Sequence, residues 1–599
     1  MDRSRQAQEA FREAEARSSP SELHQASRSM REILARYEAT LGQAGGALGR
    51  GQRLQLLMTG IEELQELPLG FSLDENLGGL RALFRRASDW VLRRFRLAGG
   101  REAAVVYIDG MVEMAWIDDH LVKPLMYDAF PMRTGGVTES VQALVNHHAL
   151  AVSQVKEART LGEVANAVLD GDTALLVDGE ATALVASHRG WKQRGISEST
   201  AEAVIRGPRE AFVEVLRTNT SMLRRRLKTP CLKLEALTLG TYTRTDVVIA
   251  YLDRIAPDAM VQEVRSRVQR IQIDGVLESE YLEELIRDEP FSLFPVVRST
   301  ERPDVVAAEL LEGRVAILTA NTPYALIVPA PFWSFFQAPE DYYHNPFVSG
   351  ALRLLRLAFM FLALMLPSLY VAVTTFHADM LPTSLLITLA AAREGVPFPA
   401  FLEALMMEVM FEVLREAGLR LPQQVGQAVS IVGALVIGQA AVSAGIVSAP
   451  MVILVAITGI ASFTTPTYEM ALAIRFLRFP VLVLGGMLGL YGLGLAVLAI
   501  LVHLADLRSF GVPYLFPLAP LQPGALADVL VRRPQWSDLF RPRMTAGSNV
   551  QRAAQGMRPA PPTDPAALTD PPLPSKPSTD AGAGSQEREP QEQGRGGSG

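Results

Sequence analysis

The chain has 599 residues, a formal charge of −7 and 20 % charged residues, which leaves room for several domains and excludes the basic balance of a nucleic-acid binder. A single cysteine, Cys231, excludes an internal disulfide and any cysteine-based metal cage. Hydrophobic residues make up 49 %, an ordinary average, but the long apolar runs are segregated between Ala351 and Leu507.

Residues 1–70 are rich in Arg, Glu, Ala and Gln, with a glycine-rich break at GQAGGALGRG, and read as a charged helical, partly disordered extension. No apolar core of a secretory signal is present there, so this part is expected on the cytoplasmic side. From 71 to 345 the pattern is soluble α/β, expected as two small subdomains, 71–165 and 166–345. Three stretches read as β-hairpins: AVVYIDGMVEMAWI around Asp109-Gly110, TALLVDGEATALVA around Asp178-Gly179, and GRVAILTANTPYALIV around Asn321. The last two echo each other, which fits an internal duplication or the general likeness of hairpins; the second is the simpler reading. CLKLEALTLG and TDVVIAYLD add two strands. ESVQALVNHHALAVSQV, GPREAFVEVLRTNTSMLRRRL (with Pro208 in its first turn) and APDAMVQEVRSRVQRI carry helical apolar spacing.

Four runs, 354–373, 425–447, 449–468 and 480–504, are each near the ~20 residues that cross a bilayer. LPTSLLITLAAA, 381–392, is too short to span alone and suits a re-entrant segment or part of a poor fifth span. A polytopic all-α membrane domain over 346–510 is expected, with four to six spans. Arg353 and Arg356 before the first run, and Arg508, Arg532, Arg533, Arg541 and Arg543 after the last, place both ends in the cytoplasm. Arg475 and Arg478 then fall on the other side, against the charge rule. Residues 511–544 read as a cytoplasmic amphipathic segment. The Pro/Ser/Gly-rich stretch from 545 to 599 lacks apolar residues to bury and is expected to be disordered.

No phosphate-binding loop, zinc-protease helix or nucleophile elbow occurs, so neither an enzyme nor a cofactor is expected. His147 and His148 are adjacent and point apart on a helix, and Cys231 reads as a small hydrophobe. LRRRLK (Arg224, Arg225, Arg226, Lys228) reads as a solvated helix end, with contact to lipid phosphate the alternative.

The chemistry concentrates in the apolar region. Ala434 and Gly438, and Gly485 and Gly489, are pairs of small residues four apart, the spacing that lets helices approach closely. Gln427, Ser430, Gln439 and Ser443 put polar groups on one apolar run, as inter-helix glue or a wet lining. AREGVPFPAFLEALMMEVMFEVLREAG carries Glu403, Glu408 and Glu412. Glu408 and Glu412 share a helix face, with Glu403 about 140° from Glu408. A charge at the bilayer centre costs about 2.5–3.5 kcal/mol on insertion scales. The helix therefore either lies in the interface with its acids toward headgroup water, or turns them to an aqueous path as candidate pore-lining or gating groups with Gln427 and Gln439. Around an axis they would form a cation-attracting ring.

The runs YIDGMV, VIRGPREAFVEVLRTNTSMLRRRLKTP, STERPDVVAAELLEGRVAIL, PEDYY, VTTFHADMLPT, the stretch from AAREGVPFP to VIGQAAV, and LRSFGVPYLFPLAP resemble the A subunit of the GerA-type spore germinant receptors and the related SpoVAF protein, over about 73–540. GISEST stands where the family pattern leads one to expect Glu-Pro. The resemblance implies a subunit of the spore inner membrane. It would work with a transporter-like B subunit that receives the nutrient germinant and with a C-subunit lipoprotein. It would form a homo-oligomer, expected as a pentamer, around a path for monovalent ions. A non-conducting scaffold in membrane lipid is the competing expectation, and a secondary transporter is disfavoured.

Overall fold

A computed structural model describes residues 63–98, 100–127, 155–190, 202, 204–420, 438–542 and 544–560. An α/β region precedes a bundle of apolar helices, the expected fold class. The first sheet has the strands β1 (Trp90–Arg96), β2 (Glu102–Ile108), β3 (Val155–Ala158), β4 (Thr173–Val177) and β5 (Ala183–Ala186), all antiparallel in the order β1-β2-β4-β5-β3. The inner strands β2, β4 and β5 are apolar at almost every position because both faces are covered, whereas the edge strands β1 and β3 carry Arg, Lys and Glu. Ala104, Val106, Ile108, Ala174 and Leu176 face the helices α1 (Leu73–Leu83) and α2 (Leu161–Leu169). Ala103, Val105, Tyr107, Leu175 and Val177 face the helical segment 114–127.

That segment overturns one expectation. Asp109-Gly110 is a turn, with Gly110 at φ +84°, but no strand follows. Ile117, Leu121, Val122 and Leu125 are buried at helical spacing, and this period prevails over the turn signal. The subdomain boundary expected near 165 also moves. The hairpin β4–β5 pairs with β2 and β3 and so completes the first sheet, which runs to Ala186.

The second sheet has β6 (Leu232–Leu239), β7 (Thr245–Leu252), β8 (Arg298–Thr300), β9 (Val315–Thr319) and β10 (Ala325–Val328), in the order β6-β7-β9-β10-β8. Each sheet thus has its third strand at an edge and a helix before its fourth strand, α2 in the first and α6 (Pro303–Leu311) in the second. The turns at Gly179 (φ +83°) and Asn321 (φ +69°) fall at equivalent places. Likeness between hairpins does not by itself require a shared order of five strands, and the shared order fits an internal duplication.

Helix α3 covers only Leu216–Arg226 rather than starting at Pro208. The expected first half is drawn into other pairings: Phe212 N–H donates to the Glu301 carbonyl at 2.7 Å, and the Asn219 amide bonds both backbone groups of Val213. The basic run at the end of α3 is ion-paired throughout, and of its four cations only Lys228 is exposed. Arg224 is fully buried and bidentate on Asp89 at 2.7 and 2.9 Å; Arg225 and Arg226 reach Glu210, and Lys228 reaches Asp170. Arg224–Asp89 ties the two sheets together beside the bridge Ala87–Leu234.

One face of the second sheet packs on α3 and α6. The other packs on α4 (Asp258–Gln269) and α5 (Ser279–Ile286), and this core continues into the bundle through Met360, Met470, Ile474, Leu504 and Tyr514. The bundle comprises α7 (Pro346–Phe376), α8 (Thr383–Arg393), α9 (Ala400–Arg420), α10 (Ala449–Ser462) and α11 (Tyr468–Asp506). Among the described residues α7 and α11 are long and apolar enough to cross a membrane. The run expected over 449–468 ends as a helix at Ser462, 14 residues long, and much of 425–447 lies outside the described residues.

Helix α11 is not one rod. Gly489 has φ +62° and ψ −144°, a conformation open to glycine alone, and the chain reverses there. Both ends of α11 therefore return to the α/β region: Ser299 Oγ donates to Glu469 at 2.5 Å, and Ser292 Oγ bonds His503 Nε2 at 3.0 Å. The start of α7 is held at the same region, where Arg353 bonds Asp341 at 2.9 Å. Beyond α11, helix α12 (Pro523–Leu530) follows; Arg541 donates to the Leu311 carbonyl, and in the stretch expected to be disordered from 545 the N–H groups of Gly547 and Asn549 donate to the Ile255 and Arg254 carbonyls. The extension 1–62 with its helical reading, the His147–His148 helix, and the tail from 561 lie outside the described residues.

Candidate functional site: a glutamate ladder inside the helical bundle

Helix α9 starts after Pro397 and Pro399, with the Glu403 N–H already bonded to the Pro399 carbonyl at 3.1 Å. Three of its four glutamates, Glu403, Glu408 and Glu412, meet side chains from the rest of the bundle. Glu403 is fully buried; its Oε1 accepts from the N–H and the Oγ of Ser448 at 2.6 and 2.5 Å, and its Oε2 lies 3.6 Å from Arg393 Nε. Ser448 is the residue that begins α10, so this carboxylate sits at a helix N-terminus, where unpaired N–H groups and the helix dipole favour an anion.

Glu408 and Glu412, one turn apart, meet Arg478 and Arg475 on α11, each at 2.5 Å. The Glu408 and Arg478 side chains are each 2 % exposed; Arg475 is 4 % and Glu412 32 % exposed. The four form a two-rung ladder between antiparallel helix segments. One rung is enclosed and one opens at its acidic end. Arg475 also lies over the Tyr468 ring, and Arg415 of α9 over Phe463 at 4.6 Å. Glu408 Oε1 and Arg478 Nη2 have no hydrogen-bond partner among the described residues. Pairing is the chemistry expected of charges in an apolar bundle, since a lone buried ion costs several kcal/mol more than a matched pair.

Helix contact supports the ladder. Gly485 lies against α7, where a Cβ would come 2.0 Å from Ser368 Oγ, and that hydroxyl donates to the Val481 carbonyl at 2.8 Å. Gly489, four residues on, does not extend this face. It occupies the reversal beside Phe376 and His377. Gly438 is buried, and a Cβ there would lie 3.7 Å from Val452, an ordinary contact; Gln439 and Ser443 are exposed. Gln427, Ser430 and Ala434 lie outside the described residues. Sequence reasoning missed Arg393, Ser448, Arg475 and Arg478 as partners of the acids. The signal was present in two arginines three apart on an apolar helix, matching two glutamates four apart on another.

The sequence model of the family described as Bacillus/Clostridium GerA spore germination protein matches residues 79–544. The chain is 45 % identical over 506 residues to the uncharacterized membrane protein YfkQ of Bacillus subtilis (strain 168), covering 84 % of this chain and 97 % of that protein. It is 44 % identical to spore germination protein KA of the same organism, over 82 % of this chain and 90 % of the relative. The crystal structure of the N-terminal domain of the A subunit of the Bacillus megaterium spore germinant receptor GerK3 aligns at 36 % identity with a TM-score of 0.36, over 44 % of this chain and 97 % of the other. With the match running from α1 through the bundle and beyond α12, the chain belongs to the GerA spore germination protein family.

Proposed function

We propose that the chain is the A-type subunit of a spore germinant receptor, set in the spore inner membrane with its α/β region on the core side. It works with a transporter-like B subunit and a C-type lipoprotein, and it responds to the nutrient indirectly. The observation that carries this reading is the 44 % identity to spore germination protein KA along nine-tenths of that relative, which includes the bundle as well as the α/β region. A multi-pass arrangement is supported by the start of α7 and both ends of α11 meeting the same α/β region.

Within that role, copies of the chain assemble as a ring, a pentamer, that conducts monovalent cations. Glu412 and Gln439 have exposed polar atoms and line the path, together with Gln427; Glu403 and Glu408, enclosed against Ser448, Arg393 and Arg478, act as gating braces whose partners must shift on opening. Full-length protein with its B and C partners, reconstituted in liposomes, is expected to release potassium when germinant is added, with cation selectivity altered in Glu412→Gln. A scaffold that recruits partners through its α/β region is the second reading, favoured by the core shared between the second sheet and the bundle. It predicts assembly without flux.

A further inference from the structure

We propose that the loop Pro290–Leu293 is a membrane-interface anchor that buries Phe291 and Leu293 in the headgroup boundary of the bilayer crossed by the bundle. The proposal rests on the membrane reading above. Phe291 is 92 % exposed and Leu293 54 %, and they flank Ser292, the residue bonded to His503 in the last turn of α11. The exposed apolar stripe of that helix, Leu498, Leu501 and Val502, runs up to the same point. The exposed stripe therefore ends at the turn of α11 to which the loop is bonded.

The loop is held in place rather than loosely extended. On one side Phe294 is buried, with its ring 6.1 Å from His503 and 6.5 Å from Tyr514. On the other, Arg267 pairs with Asp288 and its Nη1 donates to the Ile286 carbonyl at 2.7 Å, which ties down the end of α5. Asp288 in turn accepts from the Gly511 N–H at 3.3 Å. A large aromatic held out into solvent on a braced loop exposes apolar area at a cost, roughly 25 cal/mol per Å² relative to burial. Isolated apolar residues on a surface are ordinary, but a fixed pair bonded to the end of an exposed apolar helix stripe has the bilayer as an occupant at hand. Aromatic side chains are enriched at that depth. The start of α7 repeats the pattern with exposed Phe347 and Val348. Glu289, exposed just before the loop, stays in headgroup water.

The test uses the full chain in phosphatidylcholine–phosphatidylglycerol vesicles, with Cys231→Ser removing the native thiol. An environment-sensitive fluorophore is placed singly at Phe291→Cys, at Met114→Cys in the first-sheet half, and at Phe361→Cys within α7. Position 291 is expected to lose emission to a nitroxide lipid labelled near the headgroup and to resist aqueous iodide. Position 114 should show the reverse. Iodide quenching at 291 equal to that at 114 overturns the proposal. So does shielding from iodide without lipid quenching, which would assign the loop to a protein partner. Position 361, at the centre of α7, separates the two levels when read with a nitroxide lipid labelled deep in the acyl chain: no quenching there refutes the membrane reading itself, whereas quenching there confines the failure to the loop.

Discussion

Arg478 on α11 and Glu408 on α9 meet at 2.5 Å inside the bundle, 70 residues apart in sequence, and neither side chain is more than 2 % exposed. Together with Arg475–Glu412, the pair gives partners to the two arginines that the sequence sets against the positive-inside pattern. Their charge is cancelled within the protein.

Removing one partner strands the other. Arg478→Met is expected to destabilise the bundle by about 3–5 kcal/mol, and the double replacement Arg478→Met with Glu408→Leu to recover most of that loss. Thermal unfolding of the detergent-solubilised chain measures both. A single variant as stable as the parent would show that the pair is not closed in the membrane.

Asp89 and Arg224 make the equivalent test in the α/β region. Asp89→Ala leaves the fully buried Arg224 guanidinium, among the described residues, with only the Thr229 carbonyl, at 3.3 Å. A loss of about 3–5 kcal/mol is expected, together with faster proteolysis between the two sheets. Unaltered denaturant midpoints would refute the tie.

Gly485 tests helix contact. In Gly485→Val the new side chain meets Ser368, and the overpacking costs about 1–3 kcal/mol. Ser368→Gly in the same chain should return part of it, read as recovered thermal stability. The absence of any coupling between the two changes would separate the helices.

Glu283 on α5 supplies a pH dependence. Burial pushes its carboxyl up to about 8; Glu280 adds to the rise, Arg287 opposes it, and Glu469 and Glu278 add further. In the unfolded chain the value is about 4.3. Between these values the folded state holds a proton that the unfolded state has lost. The resulting stability is full below about pH 4 and declines as pH rises toward 8. Glu283→Gln should flatten the slope of unfolding free energy between pH 5 and 8 and be more stable than the parent at pH 8. An equal slope in the variant would show that the carboxyl is hydrated.

The sequence by itself determined what is local. Alternation and turn chemistry identified the strands flanking Asp178-Gly179 and Asn321, because such turns need backbone conformations few residues adopt. The segregated apolar runs marked the bundle, and long matched stretches marked the family. Only the tertiary structure decided the rest. Whether Asp109-Gly110 starts a strand or a helix depended on which core received Ile117 and Leu121. The equivalence of the two sheets depended on the strand order. Whether Glu403, Glu408 and Glu412 look onto water or onto Ser448 and arginines depended on the register of helices 45 to 70 residues apart in the chain. Periodicity reports which face of a helix a residue occupies; it carries no information about what the neighbouring helix brings to that face.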